Sequence, residues 1–351
     1  MVAATEPAAS QDPSAVMSSV AQEPGSLPRA SADVAPSSSG RVRVAYIGGS
    51  GRSGSTLLER MLGQIDGFCA VGELVHLWER GVAGNELCGC GARFHDCKFW
   101  LRVGAEAFGG WEAVDSAEML SLHRSVNRHR FIPFMVTPSV SRSYERRANV
   151  YGELQERLYR AIQRVTGCRI VVDSSKEVPY PFLLARVGGL RLSLVHLVRD
   201  SRGVAHSWQK RVVRPEVAGG STYMPRYHPA RAAADWTIDN VLFEFLGSHS
   251  VPRHFVRYED LAEDPQRSIR SILRFLGWPG ADGDLGFVAR DHVELGPTHS
   301  VAGNPMRFRL GRVPVRLDET WRERMSSSDR LLVSAMTWPL LSRYGYPRSG
   351  T

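Results

Sequence analysis

The residues best suited to chemistry lie in the run Gly48-Gly49-Ser50-Gly51-Arg52-Ser53-Gly54-Ser55-Thr56-Leu57. It follows a β-rich stretch, RVAYIG over 43–48. It precedes Leu57, Leu58, Met61 and Leu62, which recur at helical spacing. Glycines let successive backbone amides turn toward one anion, and the start of a helix adds positive partial charge. The run therefore reads as a phosphate cradle. The template for nucleoside triphosphates places a lysine directly before its Ser or Thr. Here Gly49, Gly54 and Thr56 fit that template, but Ser55 stands at the lysine position and the cation has moved to Arg52. Such a loop suits a phosphate-like group better than a metal-bound triphosphate. A small-molecule kinase is the alternative reading.

The elements that must position this loop follow from the pattern around it. Predicted strands at 43–48, 68–71, 169–172, 192–198 and 254–257 alternate with helical stretches. The run LSLVHLV over 192–198 is apolar at nearly every position, as in a parallel strand buried on both faces. This alternation predicts an α/β fold with a central parallel β-sheet flanked by helices. Ligands in such sheets bind beyond the carboxyl ends of the strands. The segments 48–56, 173–176, 199–207 and 258–260 fall there.

Composition sets the outer bounds. The 351 residues are 43% hydrophobic and 23% charged, with a net charge of +8, which excludes an acidic solvating tail and favours an anionic ligand. Nearly all the basic residues are arginine, and lysine occurs only at Lys98, Lys176 and Lys210. Five cysteines in so long a chain are not a disulfide scaffold. No apolar run approaches the ~18 residues of a membrane span, and no secretory signal opens the chain, so a cytoplasmic location is expected. Residues 1–40 are rich in Ala, Ser and Pro and are expected to be a disordered leader. Residues 41–351 then form the α/β domain, with substrate-covering insertions at about 84–150 and 214–230. Scattered arginines and the lack of a recognised binding module argue against a nucleic-acid partner.

The loop with its flanks resembles the sulfotransferases that use 3′-phosphoadenosine 5′-phosphosulfate (PAPS). Their phosphosulfate loop reads [KR]-[ST]-G-[ST]-[ST]-L, matched here by Arg52-Ser53-Gly54-Ser55-Thr56-Leu57. A second family motif opens with Arg and ends in Ser eight residues later, matched by Arg199 through Ser207. A third similarity is Arg257-Tyr258-Glu259-Asp260-Leu261. The likeness is greatest to the tyrosylprotein and carbohydrate branch and its bacterial relatives. It implies the sulfotransferase fold, with PAPS as co-substrate and adenosine 3′,5′-bisphosphate as product. Gly51 to Thr56 would bind the phosphosulfate, Arg199 and Ser207 the 3′-phosphate, and Tyr258 the adenine. A looser likeness at 299–307 adds Gly303 and Arg307 near the 3′-phosphate. The chemistry agrees: guanidinium binds phosphate oxygens bidentately and a serine hydroxyl adds one more bond.

The same resemblance implies that Glu73, in Val71-Gly72-Glu73-Leu74, is the general base toward an acceptor hydroxyl. The cytosolic branch has a histidine base at the third strand, and Asp173-Ser174-Ser175-Lys176 stands there instead, which favours Glu73 and leaves Asp173 as a second candidate. Lys176 and Arg52 would stabilise charge on the sulfuryl group and the leaving phosphate. The acceptor would be a small molecule, glycan or natural product bearing a hydroxyl, and no metal is expected. Cys88, Cys90 and Cys97, with His95 between them, admit a zinc site, a local disulfide or an ordered loop. Their spacing departs from paired C-x₂₋₄-C units, which favours the last two.

Overall fold

The computed structural model describes residues 40–137, 140–217, 222–281, 283 and 285–347. The expected leader lies outside these residues except for Gly40. Five strands form one parallel sheet: β1 Val42–Gly48, β2 Phe68–Ala70, β3 Ile170–Asp173, β4 Leu190–Val198 and β5 Arg253–Arg257. Their order is β2-β3-β1-β4-β5. All four pairings are parallel, and β1 is central, pairing Val44 with Val171 on one side and with Leu192 on the other.

The period of two in β1 explains its place. Val42, Val44 and Tyr46 enter one apolar core, while Ala45 and Ile47 enter the other on the opposite face. The long helices Arg142–Thr166 and Pro229–His249 are among those flanking the sheet, and each buries an apolar stripe. Arg142–Thr166 begins on a Ser141 side-chain cap and ends on Gly167 at φ 69°, a left-handed position that glycine fills without penalty. Two further strands, β6 His292–Leu295 and β7 Gly311–Pro314, pair antiparallel away from the main sheet. Their connection, 296–310, returns across the carboxyl end of the main sheet.

Two expectations change. The stretch 84–110, whose density of glycine and cysteine suggests an irregular excursion, contains the helix Lys98–Phe108. Phe99, Trp100, Val103 and Ala107 line its buried face, a pattern masked by the glycines and cysteines just before it. The three neighbouring cysteines are free thiols rather than a disulfide. Cys90 and Cys97 Sγ lie 3.7 Å apart, as do Cys97 and Cys88, far beyond an S–S bond of about 2.0 Å. His95 is directed elsewhere, with Nε2 2.9 Å from the Val82 carbonyl.

Candidate active site

The loop after β1 is built by close approach. A Cβ on Gly49 would stand 2.1 Å from the Leu197 carbonyl oxygen, and one on Gly54 would stand 2.7 Å from the Tyr258 ring. Both glycines have positive φ. The helix Ser55–Leu62 starts at Gly54 with no side-chain cap and no acidic residue in its first turn. Its leading amides are therefore available to an anion, and Ser53, Ser55 and Thr56 are buried around them. Ser53 Oγ donates to the Ser50 carbonyl at 2.8 Å and braces the turn.

Arg52 supplies the cation. Its guanidinium lies over the Trp208 ring at 4.7 Å, and a Cβ on Gly51 would meet the same ring at 2.7 Å. Its Nε and one terminal nitrogen are buried with no hydrogen-bond partner. Burial lowers the pKa of the group, and nearby Glu73 opposes that shift. A half-buried guanidinium with two buried, unpaired nitrogens beside uncapped amides fits an anionic oxygen cluster.

Among the described residues, the only non-glycine residues with positive φ are Arg52 at 70°, Asn85 at 45° and Lys176 at 61°. Two of the three are residues singled out for chemistry. Such backbone costs about 1–3 kcal/mol and persists where the surroundings over-determine it. Lys176 uses its conformation to fold back, donating from Nζ to the Ser174 carbonyl at 2.8 Å and to Glu73 Oε1. His76 Nε2 lies 3.6 Å from the other Glu73 oxygen. Burial pushes the Glu73 carboxyl up, but Lys176, His76 and Arg80 outweigh it and hold it below its ordinary value. Glu73 is therefore ionised at neutral pH.

Asp173 occupies a different setting. Its oxygens accept from the Tyr159 hydroxyl, the Ser175 amide and the Ser175 hydroxyl. Burial raises its pKa to about 6. The Ser175 hydroxyl in turn accepts from the Val75 amide at 3.1 Å. Asp173 thus orders the loop that carries Lys176 and the turn that carries Glu73.

Arg199, after β4, stacks over Tyr258 at 4.5 Å and touches the Arg52 carbonyl at 3.3 Å. Its second terminal nitrogen pairs with Asp318, 3.1 Å from the carboxylate and 2.8 Å from the backbone carbonyl. Ser207 lies on the helix Ser201–Gln209, which Asp200 caps. Tyr258 packs beneath the loop against Gly54. Its hydroxyl lies 3.4 Å from both the Arg316 carbonyl and the Asp318 amide. Gly303 comes from the 296–310 connection, and a Cβ there would stand 3.6 Å from Glu73 Oε1 and 3.7 Å from Thr56 Oγ1. Gly303 thus adjoins the carboxylate. Arg307 is fully buried and donates to the Ser300 and Leu87 carbonyls, both at 2.9 Å, which leaves only Nε unbonded.

Glu59 is central and escaped the sequence reading. It lies on the helix Ser55–Leu62, fully buried. It accepts from the Gly72 amide at 2.8 Å, the Ser174 hydroxyl at 2.9 Å and the Ser300 hydroxyl at 2.9 Å. One carboxyl group thereby ties together the segments bearing Glu73, Lys176 and Gly303. A glutamate inside a short helix gives no sequence signal for three partners 13, 115 and 241 residues away. Trp208, which supports Arg52, was also passed over.

A parallel sheet whose first strand runs through a glycine-rich loop into an uncapped helix defines the α/β frame. Residues 46–290 match the family described as Sulfotransferase domain. The match spans more than half of the chain, which belongs to that family. The sulfotransferase domain of the Synechococcus PCC 7002 olefin synthase is similar at 20% identity and TM-score 0.48. The alignment covers 89% of this chain and 98% of that one. The sulfotransferase domain of the curacin biosynthetic pathway is similar at 19% identity and TM-score 0.45, over 90% and 99% respectively. No curated protein matches the chain. Among the described residues, no helix is long and apolar enough to cross a membrane.

Proposed function

We propose that this sulfotransferase uses PAPS and moves its sulfuryl group to a hydroxyl of a small-molecule, glycan or natural-product acceptor. The observation that carries the reading is the pair of buried, unpartnered Arg52 nitrogens beside uncapped amides, with the Glu73–Lys176 pair adjoining them. The amides of 51–56 and Arg52 would hold the 5′-phosphosulfate. Arg199 and Ser207 would hold the 3′-phosphate, and Tyr258 would bound the adenine site from below. Arg307 serves by fixing the 300–307 loop, since its terminal nitrogens are spent on carbonyls.

Glu73 is the base on this reading. The acceptor oxygen forms a bond to sulfur as the sulfur–oxygen bond to the 5′-phosphate breaks, and Glu73 takes the acceptor proton. Charge grows on the departing adenosine 3′,5′-bisphosphate, where Lys176 and Arg52 offset it. While bound to Lys176, Glu73 is a weak base. A shift of Lys176 toward the sulfuryl group would strengthen it as the donor seats. Asp173 is the weaker candidate because its oxygens already accept from Tyr159 and Ser175.

Calorimetry tests donor recognition. Adenosine 3′,5′-bisphosphate should bind without magnesium, and ATP should compete poorly. Tight magnesium-dependent ATP binding would instead support the kinase reading. Labelled PAPS against a panel of hydroxyl acceptors, read as a mass gain, tests transfer. Glu73→Gln should retain product binding and lose turnover by about 10²–10⁴-fold. Full turnover in that variant would remove Glu73 from the base role.

A further inference from the structure

The three cysteines that no step above uses converge with a residue two hundred positions away. Cys88, Cys90, Cys97 and His299 place one ligand atom each within 4.8 Å of all the others. The Cys88–Cys97 and Cys90–Cys97 sulfur separations are both 3.7 Å. His299 Nδ1 lies 3.8 Å from Cys88 Sγ and 3.4 Å from Cys97 Sγ. These are the edges of a metal tetrahedron. Zinc–sulfur bonds of about 2.3 Å at the tetrahedral angle set sulfurs about 3.8 Å apart, and a zinc–nitrogen bond of about 2.0 Å sets sulfur and nitrogen about 3.5 Å apart.

We infer that Cys88, Cys90, Cys97 and His299 form a structural Cys₃His zinc site that pins the 296–310 connection to the 84–97 insertion. Four protein ligands fill the tetrahedron and leave no position for water or substrate, which marks a structural metal. The surrounding contacts are built for it. Cys88 and Cys97 are buried. The Cys88-Gly89-Cys90-Gly91 turn is closed by the Gly91 amide on the Cys88 carbonyl at 2.8 Å, with Gly91 at φ 89°. The His299 ring stacks on Phe99 at 4.6 Å and 9°, and Trp100 Nε1 donates to the His299 carbonyl at 3.1 Å. Nδ1 is thereby held toward the sulfurs. The Gly89 amide donates to the Ser300 carbonyl at 2.9 Å, joining the two ligand-bearing segments a second time.

The location gives the metal its purpose. Residue 299 precedes Ser300, which bonds Glu59, and lies four positions before Gly303, which adjoins Glu73 and Thr56. Zinc would fix the loop that borders the catalytic carboxylate. Binding displaces the thiol protons, since the metal takes thiolates and neutral imidazole.

The test begins with full-length protein produced with added zinc and purified under reducing conditions without chelator. Mass spectrometry of the metal content should find about one zinc per chain. Replacement by cobalt(II) should give thiolate-to-cobalt charge transfer and the intense visible bands of a tetrahedral site. Cys90→Ser and His299→Ala should each lose the zinc on dialysis against a weak chelator that leaves the parent loaded. Zinc far below one per chain, or a disulfide found among the three cysteines by peptide mapping, would overturn the inference. So would stoichiometric zinc in both variants. Should the variants fail to fold, the cobalt spectrum of the parent decides: weak octahedral bands without charge transfer refute the site. None of these readouts depends on PAPS, so they stand or fall apart from the proposed activity.

Discussion

Replacing Glu59 by glutamine should change how stability depends on pH, by an amount that the structure sets. Burial raises the Glu59 pKa to about 7, against the hydrogen bonds from Ser174, Ser300 and Gly72 and the attraction of Lys176. In the unfolded chain the same carboxyl titrates near its ordinary value of 4.5. A folded pKa above the unfolded one gives stability that is fully present below the unfolded value and is lost as pH rises through the folded value. The interval corresponds to about 3 kcal/mol in full, most of it appearing between about pH 4.5 and about pH 8. Glutamine copies the protonated acid. Its carbonyl can accept from Gly72 and Ser300, which share one Glu59 oxygen, while its NH₂ donates to the Ser174 hydroxyl. Glu59→Gln should therefore match the parent only below about pH 4.5, where the parent's carboxyl is protonated both folded and unfolded, and exceed it by about 3 kcal/mol at about pH 8. Guanidinium unfolding of both proteins across this range measures the difference and cancels other titrating groups. Parallel stability curves would refute the argument. Glu59→Ala is the complement: it strands three donors at about 1 kcal/mol or more each and should destabilise at every pH.

Other expectations are more local. Lys176→Met should lower kcat by about 10²–10³-fold, and the acidic limb of the pH–rate profile should move to higher pH because buried Glu73 loses its main counter-charge. An unmoved limb would separate Glu73 from Lys176. Arg52→Ala should weaken adenosine 3′,5′-bisphosphate by about 10–100-fold in calorimetry, the worth of a charge-assisted hydrogen bond, and unchanged affinity would place the anion elsewhere. Gly303→Ala meets no clash under 3.6 Å but sits at φ 135°, so it should cost more than about 1 kcal/mol in thermal or denaturant unfolding.

The parts of this molecule legible in the sequence are those carried by short-range pattern. Alternation placed all five strands of the parallel sheet, because a strand buried on both faces shows its environment in consecutive residues. The glycine-rich turn into the first helix was legible for the same reason: glycines, an arginine and a helix start fall within ten positions. Glu73 and Lys176 could be named singly, but not as an ion pair, since their contact joins the ends of two strands 103 residues apart. Glu59 and His299 lay beyond reach entirely. Each looks ordinary among its neighbours and gains meaning only when the 296–310 connection folds back over the sheet. The cysteines show the limit best. Read along the chain, C-x-C-x₆-C with an intervening histidine departed from the paired spacing of zinc ligands, and only His95 stood close enough in sequence to be counted with them. The fold turns His95 to a carbonyl and brings His299 across instead, stacked on the helix that directly follows Cys97. The same connection then places Ser300 on Glu59 and Gly303 beside Glu73. Loosening it at the cysteine end should be felt at the carboxylate, because Glu59, Ser300 and His299 are links of one short chain of contacts between them.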